Sequence, residues 1–450
     1  MTIQYDLNDS GLIGFLKSKY IKAKDAILTK NDKAWLCLID KYKILDSIEQ
    51  NNCYSIESKK INQFRESRLM AKFDHYINLP VVFQENNLSI LPISRGEYFI
   101  AKMKTYHSLK VTNDNITYMV KPDNLESLDF ENINSETAAI NCALASGIFK
   151  DFLEDENLTP TIDGRMGSGQ FSFEIFNDNK NLHRINVTGA QIEIDSGLEG
   201  VNYLSLIEAK RNLADDFLVR QLYYPFKTWL GRVTKPIKPV YLVYSNGIFH
   251  LNEYRFEDPN RYDSIQLVKS KNYTFSTSDI TLDEITEIAK QKITEEPKVA
   301  FPQSDNFERV INLGELLNEN DKFTRDKVTE KYAFDVRQTN YYTDALRYLG
   351  LVERRYESNR QPYYILTEEG EKVFNSDLRT RKLLLIKNIL EHEVFNKVFN
   401  DWLNNGRPNK NRVVELMKES YIYNIDSEDT YKRRASSVIG WIKWIFSLVE

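Results

Sequence analysis

The chain has 450 residues, 42% hydrophobic and 28% charged, which favours two to four domains with proper cores and excludes a disordered polymer. Its net charge of −5 argues mildly against a protein that coats nucleic acid over its whole surface, while leaving room for local basic faces. No run approaches the roughly 20 apolar residues of a membrane span, residues 1–6 lack the pattern of a signal peptide, and Cys37, Cys53 and Cys142 show no zinc-ligand spacing, so a reducing cytoplasm without membrane contact is expected.

Residues 1–134 read as an accessory region. Up to about residue 65 it is helical, with Leu12, Ile13 and Leu16 and then Leu36, Ile39, Tyr42, Leu45 and Ile48 at helical spacing. Short apolar runs at 79–83, 88–93 and 98–101 read as strands, with Pro80 and Pro92 at strand ends or edges. Residues 135–256 form one α/β unit with a mixed sheet. Ser135 caps a helix reaching Phe152, and a glycine-rich stretch follows at 163–170. Strands are expected at 171–176, 192–195 and 204–210, then a helix at about 214–230, irregular at Pro225. A strand at 239–244, an Asn246-Gly247 hairpin turn and a strand at 248–256 complete the unit. Residues 257–305 are polar and read as a linker region, 306–375 as a second folded segment and 376–450 as a helical one.

The chemistry is concentrated in two strand ends. Asp195 closes Ile192-Glu193-Ile194-Asp195, where the chain is expected to turn, and Glu208-Ala209-Lys210 closes an apolar run. Residues two apart on a strand share a face, so Glu208 and Lys210 point the same way and Asp195 can reach them from the neighbouring strand. Two carboxylates beside one amine suit a hard divalent cation that activates water against a phosphodiester. The competing reading is a structural ion pair, because Glu-x-Lys also occurs at Glu57-Ser58-Lys59 and Glu296-Pro297-Lys298. Only Glu208-Ala209-Lys210 follows a buried run, where a charged pair costs desolvation without a partner or a metal. Glu193, two residues before Asp195 on the same strand face, is a candidate to steady a ligand from behind or to serve as an alternative ligand, and Glu199 sits in the expected turn, solvated. The stretch Gly164-Arg165-Met166-Gly167-Ser168-Gly169 lacks the Gly-Lys-Ser/Thr ending of a phosphate loop and precedes a strand, so nucleotide binding is rejected. A tight turn, or a backbone approach to a DNA phosphate, remains open for it.

Asp195, Glu208-Ala209-Lys210 and the helix after them resemble the PD-(D/E)XK nuclease superfamily, and within it the type II restriction endonucleases. The family often has Pro before the Asp, where this chain has Ile194. The resemblance implies that Asp195, Glu208 and the Ala209 carbonyl ligate Mg²⁺, and that Lys210 positions the attacking water and stabilises phosphate charge. Glu136, on the preceding helix, matches a position where some members carry an extra acid, against the plain reading of a first-turn helix acid. Gln221 could approach the site as in related nucleases, or belong to an ordinary amphipathic helix. Residues 66–102, with Lys72-Phe73-Asp74-His75, resemble the N-terminal region of some restriction enzymes more loosely.

Residues 306–375 resemble a winged helix. Helices are expected around Leu313, from Thr324 to Phe334, and from Val336 to Leu349, the last with an Asp335/Gln338 capping box and an end at Gly350. A hairpin follows, turning at Glu357-Ser358-Asn359-Arg360. A third helix of this kind enters the major groove, so Arg337, Gln338, Thr339, Asn340 and Tyr341 are candidate base readers, with Arg354, Arg355 and Arg360 on phosphates. The alternative is a winged helix used for protein contacts. Residues 411–450 form a second candidate helix-turn-helix, with Lys432 and Arg433 toward DNA or, alternatively, in a dimer or packing helix. The resemblance implies an α/β (α+β mixed sheet) restriction-endonuclease-like core with helical and winged-helix accessory domains. It implies a Mg²⁺-dependent, sequence-specific double-strand DNA endonuclease leaving 5′-phosphates, in a bacterial cytoplasm, as a homodimer, with a cognate DNA methyltransferase encoded nearby. The alternatives are a methyl-directed or repair nuclease on the same core, and a DNA-binding regulator with an inactive nuclease-like domain.

Overall fold

The computed structural model describes residues 5–112, 115–177, 181–275, 280–319, 322–332, 334–358 and 360–449. Its main sheet has seven strands in the order Ile116–Tyr118, Ile265–Thr274, Ile248–Phe256, Ile237–Ser245, Leu204–Lys210, Gln191–Glu199 and Thr159–Gly167. Leu204–Lys210 runs parallel to Ile237–Ser245, and Ile116–Tyr118 parallel to Ile265–Thr274. The other pairings are antiparallel. A parallel pair needs a crossover connection. Here it is the helix Arg220–Leu230, whose Leu222, Tyr223 and Phe226 pack with Leu206, Tyr241 and Val243 on one sheet face. On the other face Ile207, Ala209 and Leu242 meet Ile140, Ala143 and Phe149 of the helices Glu136–Ala145 and Ile148–Leu153. Burial on both faces explains why Leu204–Ala209 reads as an unbroken buried run rather than an alternation. The chain is thus mixed α/β, with mixed sheets and flanking helices. Among the described residues no helix is long and apolar enough to cross a membrane.

Several expectations are corrected around this sheet. The glycine-rich stretch divides: its first part belongs to the edge strand Thr159–Gly167, with Gly164 at φ 79°, and Ser168-Gly169 makes the tight turn into the strand from Gln170, with Gly169 at φ 70°. The strand expected at 171–176 (Gln170–Phe176) does not join the main sheet but pairs with Leu182–Thr188 in its own two-stranded ribbon. The helix expected from about 214 starts only at Arg220, because Asp216–Leu218 is held as a short strand against Tyr106–Ser108. The region read as a linker contains a main-sheet strand, Ile265–Thr274, and a capped helix, Leu282–Ala289. That strand is polar because only Ile265, Asn272 and Tyr273 are buried, so its composition mimics a loop.

The N-terminal region packs the helices Ser10–Tyr20, Lys30–Tyr42 and Ile44–Asn51 on a sheet of Cys53–Glu57, Glu97–Lys102 and Leu88–Pro92. Cys53–Glu57 lies in a stretch read as helical, and the run at 79–83 is not a strand but enters the helix Val81–Glu85. Pro80 at its N-cap explains this, since the fixed φ of proline suits a helix start. Toward the C-terminus, Phe307–Asn318, Arg325–Lys331 and Val336–Tyr348 precede a hairpin of Val352–Tyr356 and Pro362–Leu366. Phe323–Thr324 adds to its returning strand. The Asp335/Gln338 capping box is present; Asn359 of the hairpin turn lies outside the described residues. Five helices follow, from Glu368–Phe374 to Glu428–Phe446. The boundary expected at 375 falls inside one shared core: Trp441 stacks on Phe395 at 5.0 Å and meets Phe307 at 4.8 Å between ring centroids.

The last helix is seated through backbone contact. A Cβ on Gly440 would lie 2.1 Å from the Asp305 carbonyl oxygen, and flanking Trp441 donates to the Ser304 carbonyl at 2.8 Å. Gly440→Ala should therefore destabilise the protein by about 1–3 kcal/mol, as overpacking against backbone does. Urea unfolding would read this, and an unchanged midpoint would refute the close approach.

Candidate active site

The site grows out of a break in the sheet. The Gln191–Glu199 and Leu204–Lys210 strands pair regularly from Leu204↔Glu199 to Ile207↔Ser196, and there the ladder stops. On its other side, the register with Thr159–Gly167 jumps from Ile162↔Gly197 to Gly164↔Ile194, so Asp195 and Ser196 together oppose a single residue. This is a β-bulge, which re-aims side chains and ends pairing. Gly197 permits it, because a Cβ there would fall 2.7 Å from that of Ile162. The strand does not end at Asp195 as expected but continues to Glu199, which is half-buried and bonded to Lys235 at 2.7 Å rather than solvated in a turn.

Where the ladder stops, the Asp195 carboxylate takes over the next backbone donor: it accepts the Ala209 N–H at 2.8 Å. On either side of Ala209, the Lys210 ammonium donates to Glu208 Oε1 at 2.5 Å and to the Ala209 carbonyl at 3.1 Å. Gln221, one residue into the crossover helix, donates to the same Glu208 oxygen at 2.8 Å. The three residues of the sequence motif are thus brought together, and Gln221 is bound to the motif rather than being one more residue of an amphipathic face. Glu136, at the start of the preceding helix, lines the same cleft. Glu193 also lines it, but its carboxylate is half-exposed and paired with Arg165 at 3.1 Å.

Burial dominates the electrostatics. Glu208 is 7% exposed, and burial pushes its carboxyl up to about 8, with Lys210 opposing and Asp195 and Asp74 adding to the rise. Burial would lower Lys210, but Glu208, Tyr241, Glu136 and Asp74 hold its ammonium protonated well above the ordinary range. Burial likewise raises Glu136. One buried ammonium therefore faces several carboxyls, an excess that a bound cation would relieve. Among the described residues no group of three His, Cys, Asp or Glu is close enough to hold a metal ion as it stands. The donors on hand, Asp195, Glu208, Glu136 and the Ala209 carbonyl, are all oxygens, the kind that Mg²⁺ takes.

The cleft holds about 1280 Å³ and is walled by three parts of the chain. The core supplies the residues above. The N-terminal region supplies Lys72, Asp74 and His75, and the C-terminal region supplies Tyr332, Phe334, Asp335 and Arg337. Asn78 fastens two of these walls, donating to the carbonyls of Thr329, Tyr332 and Phe334 at 2.9, 3.1 and 3.3 Å. Asn312 fastens another pair, accepting from Leu213 N–H at 3.1 Å and donating to the Arg211 carbonyl at 2.7 Å. Asp74 was not singled out by the sequence reading. Its only sequence signal is the Lys72-Phe73-Asp74-His75 cluster, which no spacing links to Lys210.

The candidate DNA-reading residues divide by exposure. Arg337 stands at the cleft and pairs with Asp25. Gln338 uses its side-chain oxygen to accept the Asp335 N–H at 3.2 Å, while Asn340 and Tyr341 are half-buried. Thr339 is fully buried, its hydroxyl bonded to Thr329 at 2.9 Å and to the Asp335 carbonyl at 3.0 Å, so its expected role as a base reader is corrected to a core contact. Arg354, Arg355 and Arg360 are exposed on the hairpin, and Lys432 and Arg433 are exposed on the last helix.

Three domain families match the chain, each described as a domain of unknown function: DUF6996 over residues 32–100, DUF6997 over 101–274 and DUF7226 over 309–450. No curated protein and no solved structure matches it. The three matches correspond to the three parts of the chain that wall the cleft.

The raised Glu208 carboxyl has a consequence for stability. The unfolded chain gives up this proton near 4.5 and the folded chain only near 8, so Glu208's contribution is fully present below about pH 4.5 and is lost as the pH rises to about 8. In cation-free buffer, Glu208→Gln should flatten the fall in unfolding free energy between pH 5 and 8, whatever constant offset the substitution adds. Parallel stability–pH curves for the two proteins would exclude a buried, perturbed Glu208.

Proposed function

We propose that the chain is a Mg²⁺-dependent, sequence-specific double-strand DNA endonuclease of PD-(D/E)XK type, acting as type II restriction enzymes do. The observation that carries the reading is the convergence of Asp195, Glu208 and Lys210 where two adjacent strands part, with Gln221 bonded to Glu208. Buried ion pairs that serve stability alone gain little over apolar packing. This one opens onto a cleft, and clefts with perturbed carboxyls are where catalysis is found.

Asp195, Glu208 and the Ala209 carbonyl would hold the cation, which supplies Lewis-acid stabilisation of the charge that develops on the phosphate. The remaining work falls to the chain itself. The Lys210 ammonium, kept protonated by its acidic neighbours, offers a positive charge to the pentavalent phosphoryl oxygens. Gln221 holds Glu208 in one orientation from a rigid helix. Glu136 adds a carboxylate at the rim, suited to orienting water.

The segment 307–366, with three helices, a hairpin and a strand added to it, supports a winged-helix reading and gives the nuclease a means of choosing sequence. Arg337 and Asn340 have the chemistry to read guanine and adenine edges, and the exposed hairpin arginines the chemistry to hold phosphates. Cutting both strands with one site per chain calls for two copies related by a twofold axis.

Incubation of supercoiled plasmids and a bacterial genomic digest with the protein tests the proposal. Mg²⁺ should give discrete products with 5′-phosphate ends, EDTA none, and Lys210→Ala should lower the rate by at least about 100-fold, as loss of a charge-stabilising group does. If wild type and Lys210→Ala are equally inert on varied DNA, the enzyme reading fails. Separately, Arg354→Ala and Arg360→Ala should each flatten the salt dependence of DNA affinity by about one unit of slope if they contact phosphate. Unchanged slopes in a fluorescence-anisotropy titration would remove the hairpin from the interface.

A further inference from the structure

Asp74 comes from outside the nuclease-like core, yet its backbone is fixed to the short strand Asp216–Leu218 that follows Lys210. The Asp74 carbonyl accepts the Leu218 N–H at 2.9 Å, and the carbonyl of the preceding Phe73 accepts the Tyr106 hydroxyl at 2.8 Å. On the other side, the His75 ring is buried between the Asp216 carbonyl at 2.7 Å and the Asn212 amide at 3.0 Å, and the Tyr76 N–H donates to the Asp216 carboxylate. These contacts settle where Asp74 stands but leave Oδ1 of its carboxylate buried with no hydrogen-bond partner; burial would raise the carboxyl, but the charges of Lys72, Lys210, His75 and Arg220 hold it below its usual range. A buried, unpartnered carboxylate oxygen costs about 1–3 kcal/mol or more, so a purely structural aspartate would have acquired a donor. The side chain lines the cleft with Glu136, Asp195, Glu208 and Lys210, and its charge acts on Glu208, Lys210 and Glu136 alike.

We propose that Asp74 is a further cation ligand of this site, donated by the N-terminal region, so that the ion is held across two parts of the chain rather than by the core alone. The inference rests on the nuclease reading, since it shares that reading's cation. It gives the N-terminal region a part in the chemistry: the core without it lacks one of its carboxylates. It also accounts for the orphaned oxygen, because an ion takes the place of the missing hydrogen-bond donor.

Mn²⁺ binding to the full chain tests this without any cleavage assay. Loss of the free-ion electron paramagnetic resonance signal reports binding to wild type, Asp74→Asn and Glu208→Gln. Asp74→Asn should bind Mn²⁺ at least tenfold more weakly while keeping a cooperative thermal transition in EDTA, so that the loss is of a ligand and not of the fold. Asp74→Ser serves if the asparagine variant fails to fold. Equal Mn²⁺ affinity in wild type and the Asp74 variants, with binding weakened in Glu208→Gln, overturns the role of Asp74 and leaves the nuclease reading standing. No Mn²⁺ binding by wild type overturns both.

Discussion

An ammonium group buried at the end of an interior strand must be surrounded by acids, and Lys210 imposes that requirement on the rest of the molecule. Desolvation disfavours the charged lysine, and only carboxylates close by restore it. Glu208 is the direct partner at 2.5 Å. Asp195 is anchored on the Ala209 N–H, Glu136 is delivered by a helix start and Asp74 by the N-terminal region. Each comes from a different element, so much of the tertiary arrangement can be understood as the means of keeping these acids around one cation-bearing side chain. The cost falls on the acids in turn, since burial pushes the Glu208 and Glu136 carboxyls up.

The sheet is built to expose the motif at this point. Parallel pairing of Leu204–Lys210 with Ile237–Ser245 buries both faces of the Glu208 strand and places the start of the crossover helix, with Gln221, beside the strand's end. The bulge at Asp195 and Ser196 ends pairing on the other side one residue before Glu208, which opens a gap in the sheet in place of a closed ladder. A regular strand pair would have used the Ala209 N–H for a backbone bond and left the Asp195 carboxylate elsewhere.

Much of this was legible in the residues themselves. The run Leu204–Ala209 marked a strand buried on both sides, the spacing of Glu208 and Lys210 put them on one face, and Ser135, Asp335 with Gln338, and Asn246-Gly247 marked real caps and a real turn. What stayed hidden depended on distant partners. Ile265–Thr274 is polar because most of its side chains are at least partly open to solvent, so its place in the sheet is written in backbone pairing with Ile248–Phe256. The glycines of Thr159–Gly167 imitate a loop while forming an edge strand. Thr339 has a reader's chemistry but lies on the inward side of its helix, a step from Thr329. Asp74 could not be found by spacing at all, since it lies 136 residues from Lys210 and reaches the cleft only through the packing of His75 and Phe73.

The amide of Asn78 carries an implication for how the protein is made. Its three acceptors lie 251 to 256 residues further along the chain, at Thr329, Tyr332 and Phe334. A ribosome delivers the N-terminal region long before those carbonyls exist, and domains fold in the order of synthesis. The N-terminal and core walls can therefore form on the nascent chain, while the third wall arrives only after the residues between Asn78 and Thr329, 251 positions apart, have been made. The cleft is a late product of biosynthesis, and a chain cut short before residue 329 would carry the motif of Asp195, Glu208 and Lys210 in an unfinished enclosure.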